Sequence, residues 1–181
     1  MTLCAVLAAL SVLAWPLPRE WLDWRPGLFA AQPWRAVTAA FVHWTPIHLA
    51  ANLAGCAVLA LLGWRADLGR RDALAGVVAL PLTQLALLLR PDLQRYAGLS
   101  GTLHALTVVA VLTIAARPGR DRLVAIAIAI GLAAKLVSEH PLGPALRVTP
   151  GFDFPVAPFS HFAGAAAGVL AWALTFRIKA K

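Results

Sequence analysis

Apolar residues fall in six long runs, at about 2–18, 43–64, 72–90, 99–116, 123–138 and 158–178, and polar residues collect in the short breaks between them. A helix needs roughly 20 apolar residues to cross about 30 Å of hydrocarbon. Each run reads as a helix, because lipid cannot satisfy the backbone groups of a lone strand. The alternating segments of a membrane β-barrel are absent. The pattern predicts an all-α membrane protein, with six transmembrane helices forming one domain over 1–181. The first run has no positive segment before it and no small-residue cleavage site near its end, so it reads as a retained span. The fourth and fifth runs are short. A 16-residue helix rises only about 24 Å, so one end sinks below the membrane surface unless the bilayer thins or neighbours cover it. The fourth run opens at Gly98-Leu99-Ser100-Gly101, a sunken helix start that carries a hydroxyl.

Composition agrees with this pattern. The chain is 60% hydrophobic and 13% charged, where a soluble domain is nearer half apolar and about a quarter charged. Its net charge is +8, which in a soluble protein would raise the question of nucleic acid. Here the arginines sit in clusters between the runs, as topology signals and contacts for anionic headgroups do, so the expected partner is the lipid bilayer and not nucleic acid. Arg65, Arg70 and Arg71, then Arg117, Arg120 and Arg122, then Arg177, Lys179 and Lys181 put nine cations on one side. Arg19, Arg25, Arg35, Arg90, Arg95 and Arg147 put six on the other, with Lys135 near the outer end of its helix. That asymmetry predicts both termini in the cytoplasm. Trp15, Trp34, Trp44 and Trp64 lie near run ends, as interfacial anchors do. Cys4 and Cys56 each sit inside an apolar run, without metal-binding spacing, and read as small buried hydrophobes.

Polar groups inside spans are costly and tend to mark function. They cluster at three places: His43 to Asn52, Gly98 to His104, and Ser160 to Gly168. These are the starts of the second, fourth and sixth runs, which by parity open at the same membrane face and so at one depth. His48 and Asn52 are four residues apart, on one helix face. Taken alone they serve equally well as polar ties between helices. Ser100 lies between Gly98 and Gly101, which permit a sharp turn and close approach. Alone it is equally a helix cap. His161 is followed by Gly164 and Gly168, a smooth strip that lets helices cross closely. Alone it is as readily a histidine bonded to a loop carbonyl. Together the three clusters supply a nucleophile, a base and oxyanion donors, the set needed for acyl transfer. Ser100 would attack a peptide carbonyl, His161 would carry the proton, and the Ser100 N–H, His48 and Asn52 would hold the oxyanion. No carboxylate lies within a helical turn of His161, and Asp153 is eight residues upstream, so a Ser–His dyad is expected. His104, one turn beyond Ser100, would orient His161, pack beside it or compete as a base. His43 and His48 are five apart, which argues against a histidine metal or haem site; no metal or other cofactor is expected. The loop over 139–158, with five prolines, Phe152 and Phe154, reads as a cap that moves to admit substrate or as a stiffened connection.

Trp34-Arg35, His43-x4-His48-x3-Asn52, Gly98-x-Ser100-Gly101 and His161-x2-Gly164-x3-Gly168 together resemble the rhomboid intramembrane proteases. The resemblance implies a rhomboid-like bundle of six spans that cleaves membrane-anchored proteins in or beside their spanning segment. It implies Ser100 and His161 as the dyad and an oxyanion hole at His48 and Asn52. It also implies a structural His43, a first-loop element at Trp34-Arg35 lying partly in the membrane, and a close crossing permitted by Gly164. One position departs: many rhomboids carry Tyr one turn after the serine, where this chain has His104. Gly98-Leu-Ser-Gly-x-Leu-His104 resembles the rhombosortase branch. That would imply a bacterial inner-membrane enzyme acting on exported proteins with a C-terminal Gly-Gly, helix and basic tail. A general rhomboid protease for single-span proteins, and an inactive rhomboid-like protein that binds transmembrane helices, are the other two readings.

Overall fold

The computed structural model describes residues 2–177. Its eight helices are α1 (Thr2–Ala14), α2 (Arg19–Leu22), α3 (Arg35–Thr38), α4 (Pro46–Arg65), α5 (Arg70–Ala86), α6 (Ser100–Ala115), α7 (Asp121–Ser138) and α8 (Pro158–Arg177). Among the described residues there is no strand, only two isolated bridges. The apolar runs correspond to α1 and α4–α8. Three segments, Pro46–Arg65, Arg70–Leu89 and Pro158–Phe176, are long and apolar enough to cross a membrane. Helices α1 and α6 are shorter and apolar, and α7 includes Asp121, Arg122 and Lys135. Position 178, Lys179 and Lys181 lie outside the described residues.

Two boundaries differ from the runs. Helix α1 stops at Ala14 and not at 18, because Pro16 and Pro18 follow and proline disfavours helical backbone in the residue before it. Helix α4 starts at Pro46 and not at 43. Pro46 fits the first helical position, Thr45 before it is extended, and the Thr45 hydroxyl accepts the His48 N–H at 3.1 Å. That cap places His43 outside the helix and His48 in its first turn.

Helix α6 is the centre of the bundle, packed on α4, α5, α7 and α8. It buries ten of its sixteen residues, as a helix apolar on all sides does when others surround it. Helix α8 lays a small-residue strip against it, with Ala163, Ala167 and Ala171 buried beside the glycines. A methyl group at Gly101 would lie 2.8 Å from the Ser160 carbonyl oxygen, and one at Gly168 2.5 Å from that of Ala105. A methyl group at Gly164 would run into the Gly101 carbonyl. The obstacles are backbone atoms of the facing helix, so no rotamer change relieves them. Helix α7 is peripheral and buries only Ala125.

The segment between α1 and α4 is held by charge. Asp23 is fully buried and receives hydrogen bonds from Arg25 at 3.0 Å, Arg35 at 2.9 Å and Arg95 at 2.7 Å. Arg35 also donates to the Asp23 and Glu20 carbonyls and to Gln32. Next to Asp23, the Trp24 and Tyr96 backbones exchange hydrogen bonds of 2.8 and 3.1 Å. The first loop is thereby tied to the segment that leads into Ser100. Cys4 and Cys56 are free thiols buried in one apolar cluster with Leu7, Leu80 and Leu103.

Gly164→Val is expected to lower stability by about 3 kcal/mol or more, at or above the upper end of ordinary overpacking, because rigid backbone opposes the added methyls. Thermal unfolding in detergent measures this, and an unchanged midpoint would contradict the close crossing.

Candidate active site

Ser100 is the first residue of α6, where backbone N–H groups have no partner within the helix. The turn before it depends on Gly98, whose φ of +126° suits only glycine. His48 Nε2 lies 2.6 Å from where a Gly98 side chain would begin. The Gly98 N–H donates to the Ala39 carbonyl at 3.0 Å, and its own carbonyl accepts the Tyr96 hydroxyl at 3.0 Å. The serine is thus fixed from both sides.

The crossing of α6 and α8 brings His161 Nε2 to 3.0 Å from Ser100 Oγ. The His104 ring stacks on the His161 ring, with centroids 4.3 Å apart and planes 14° from parallel. His104 Nδ1 lies 2.7 Å from the Ser100 carbonyl oxygen. On α4, the Asn52 amide donates to the His48 carbonyl at 3.1 Å, and the Trp44 N–H donates to His48 Nδ1. Ser100, His104, His161, His48 and Asn52 all line one cavity of about 820 Å³. The residues that the sequence groups at one membrane face thus share a single cavity.

The remaining candidates lie around this cavity. Gly101, Gly164 and Gly168 form the helix crossing. His43 is buried behind His48, its ring edge-on at 4.8 Å and its Nδ1 against the Phe41 carbonyl. Arg35 belongs to the Asp23 cluster, and Trp34 is half exposed with its indole directed at the Trp21 carbonyl. Neither lines the cavity.

Residues that the motifs did not indicate complete the wall. The sequence offers no carboxylate within a turn of His161, but the structure brings one from 22 residues upstream. Glu139, just past the end of α7, has Oε2 2.8 Å from His161 Nδ1. Lys135, one turn earlier, reaches Glu139 Oε1 at 2.9 Å, His104 Nε2 at 2.7 Å and His161 Nδ1 at 2.9 Å. Burial works against the charge on Glu139, but the His161 hydrogen bond and the Lys135 ammonium outweigh it and hold the carboxyl at about 2. The available signal was a lysine inside an apolar run followed at i+4 by a glutamate, since a charge in a span marks function by default.

The 139–158 loop lies across the cavity. Phe154 stacks on His48 at 4.0 Å, and Phe152, Thr149 and Val156 join the lining. Asp153 accepts the Thr45 hydroxyl at 2.7 Å, which ties the loop to the start of α4. Arg147 and Val156 pair through their backbones and stiffen it.

A hydroxyl on an imidazole nitrogen, at a helix start and beside amide and imidazole donors, is suited to acyl transfer. Among curated proteins nothing matches the chain. The family model described as Rhomboid domain matches residues 30–178, a stretch that contains every cavity residue named above. The chain therefore belongs to the rhomboid family of multi-pass intramembrane serine proteases, which act on membrane-embedded substrates and count inactive proteins among their members.

Proposed function

We propose that this chain is an active intramembrane serine endopeptidase, formed as a single six-helix transmembrane domain over 1–181, with Ser100 as nucleophile and His161 as base. The observation that carries this reading is the 3.0 Å contact between Ser100 Oγ and His161 Nε2 on the wall of a cavity large enough for a peptide segment. His161 Nε2 takes the Ser100 proton as Oγ bonds to the scissile carbonyl carbon, and the carbonyl electron pair moves onto oxygen. The Ser100 N–H, His48 and Asn52 are the donors for that oxyanion. When the C–N bond breaks, His161 returns the proton to the departing amine. Water then repeats the sequence on the acyl-enzyme. Helices α1, α6 and α7 complete the six spans, with both termini in the cytoplasm and the cavity opening to the outer face.

The substrates on this reading are membrane-anchored proteins, of the rhombosortase kind with a C-terminal Gly-Gly, helix and basic tail, in a bacterial inner membrane. The support is the Gly98-Leu-Ser-Gly-x-Leu-His104 stretch and the stacking of His104 on the base where many rhomboids carry tyrosine. Cleavage of a Gly-Gly-tailed reporter but not of an ordinary single-span protein is the expected pattern. Equal cleavage of both would mark a general rhomboid protease, and binding of helices without cleavage an inactive one.

Ser100→Ala and His161→Ala are expected to abolish reporter cleavage while unfolding at the parent's temperature. Asn52→Ala should slow turnover about 10- to 1,000-fold as one oxyanion donor is lost. Full turnover in the Asn52 variant would remove it from the oxyanion hole.

The 139–158 loop acts as a lid on this reading, because Phe154 stacks on His48 and the loop lines the cavity that holds Ser100. Cross-linking cysteines placed at Thr45 and Asp153 should stop cleavage, and reduction should restore it. Undiminished cleavage with the cross-link in place would rule out lid opening.

A further inference from the structure

His161 Nδ1 can hold either one proton or one lone pair, yet two charged groups lie within 3 Å of it: Glu139 Oε2 at 2.8 Å and Lys135 Nζ at 2.9 Å. They call for opposite tautomers. If Nδ1 carries the proton it donates to Glu139, and Nε2 presents its lone pair to Ser100. If Lys135 donates into Nδ1, the proton sits on Nε2 and Ser100 faces a donor that cannot accept its hydrogen.

The neighbouring bonds decide between the two. The Ser100 carbonyl can only accept, so His104 Nδ1, 2.7 Å away, carries a proton. His104 Nε2 is then an acceptor, and Lys135 at 2.7 Å is its donor. A second Lys135 proton goes to Glu139 Oε1 at 2.9 Å. With those two Lys135 protons placed, a proton on His161 Nδ1 donates to Glu139 Oε2 and leaves only the Lys135–His161 contact without a hydrogen bond, whereas a proton on Nε2 sets the Nδ1 lone pair against a carboxylate lone pair and turns a donor toward Ser100. The chain of bonds then runs from the Ser100 hydroxyl through His161, Glu139, Lys135 and His104 back to the Ser100 carbonyl.

We propose that Glu139 is the third member of the catalytic group, a positioning residue that holds His161 in the tautomer able to take the Ser100 proton, and that Lys135 orients Glu139 and couples it through His104 to the serine's own backbone. This rests on the reading of the chain as a serine protease. Glu139 takes up no proton in the reaction. It faces the imidazolium that forms and balances the Lys135 ammonium beside it. The arrangement has a consequence that simple packing does not. Without Glu139, Lys135 stands unopposed at Nδ1, where it both stabilises the wrong tautomer and repels the imidazolium. Removing Lys135 as well should therefore restore part of what the loss of Glu139 costs.

The test uses the full chain in detergent and follows the rate of labelling by a fluorophosphonate probe, beside the Ser100→Ala control. Glu139→Gln should slow labelling about 10²- to 10⁴-fold, as loss of the orienting carboxylate does in serine proteases. Lys135→Met should slow labelling less than Glu139→Gln does, and Glu139→Asp should retain more rate than Glu139→Gln. The double variant Glu139→Gln/Lys135→Met should label at least about tenfold faster than Glu139→Gln alone, since coupled neighbours are non-additive. Parent-like labelling of Glu139→Gln, or a double variant no faster than the single, overturns the proposal. ¹⁵N-histidine spectra of the unmutated protein read the tautomer without any variant. A proton on His161 Nδ1 is expected, and a proton on Nε2 overturns the assignment. A folded parent that takes no label, or a Ser100→Ala protein that labels equally, overturns the serine-protease reading itself.

Discussion

Helix α8 reaches the backbone of α6 because positions 101, 164 and 168 are glycine, and the site follows from that approach. In lipid the apolar tails compete equally for every apolar side chain, so helices associate through close packing and polar contacts more than through hydrophobic burial. A strip of small residues converts directly into short interaxial distance. Ser100 is placed by α6 and His161 by α8, and their side chains are short. Any widening of the crossing would be felt at once in the 3.0 Å contact between them.

The crossing alone does not aim the serine. Its hydroxyl leaves the first turn of α6, so the path of the chain into that turn matters. Gly98 bends the path, and His48 fills the space where another residue would carry a side chain. Further back, the Trp24–Tyr96 bridge and the buried Asp23 with its three arginines fasten the incoming segment to the first loop. Arg95 belongs to this cluster and also lines the cavity. The charge cluster and the cavity beside Ser100 are therefore one construction. Removing Asp23 would leave the buried Arg35 guanidinium without its counter-charge, which is costly, and the cost would reach the segment that leads into Ser100.

The membrane class, the all-helical fold and the convergence of three polar clusters could be read from the sequence, because each rests on local rules. Apolar length reports a helix, and parity reports which helix starts share a face. Glycine at 164 and 168 after His161 reports a close crossing. What could not be read depends on three-dimensional approach between distant residues. Glu139 reaches His161 across a sequence separation of 22 residues and Asp153 reaches Thr45 across 108, and no spacing rule covers either. Helix ends shifted where proline and capping overrode the apolar pattern, at Ala14 and at Pro46. Lys135 was visible as a charge within an apolar run with Glu139 at i+4, but its pairing with His104 and His161 needed the packing of α7 against α6 and α8.

The central claim is that the fold activates one serine, at position 100, inside a membrane-embedded bundle. Reaction of the folded protein with a fluorophosphonate, followed by peptide mapping in a mass spectrometer, tests it most directly. The account predicts a single adduct, on Ser100, that is not formed once the protein is unfolded. A folded protein with no adduct, or an adduct on Ser138 or Ser160, would contradict it.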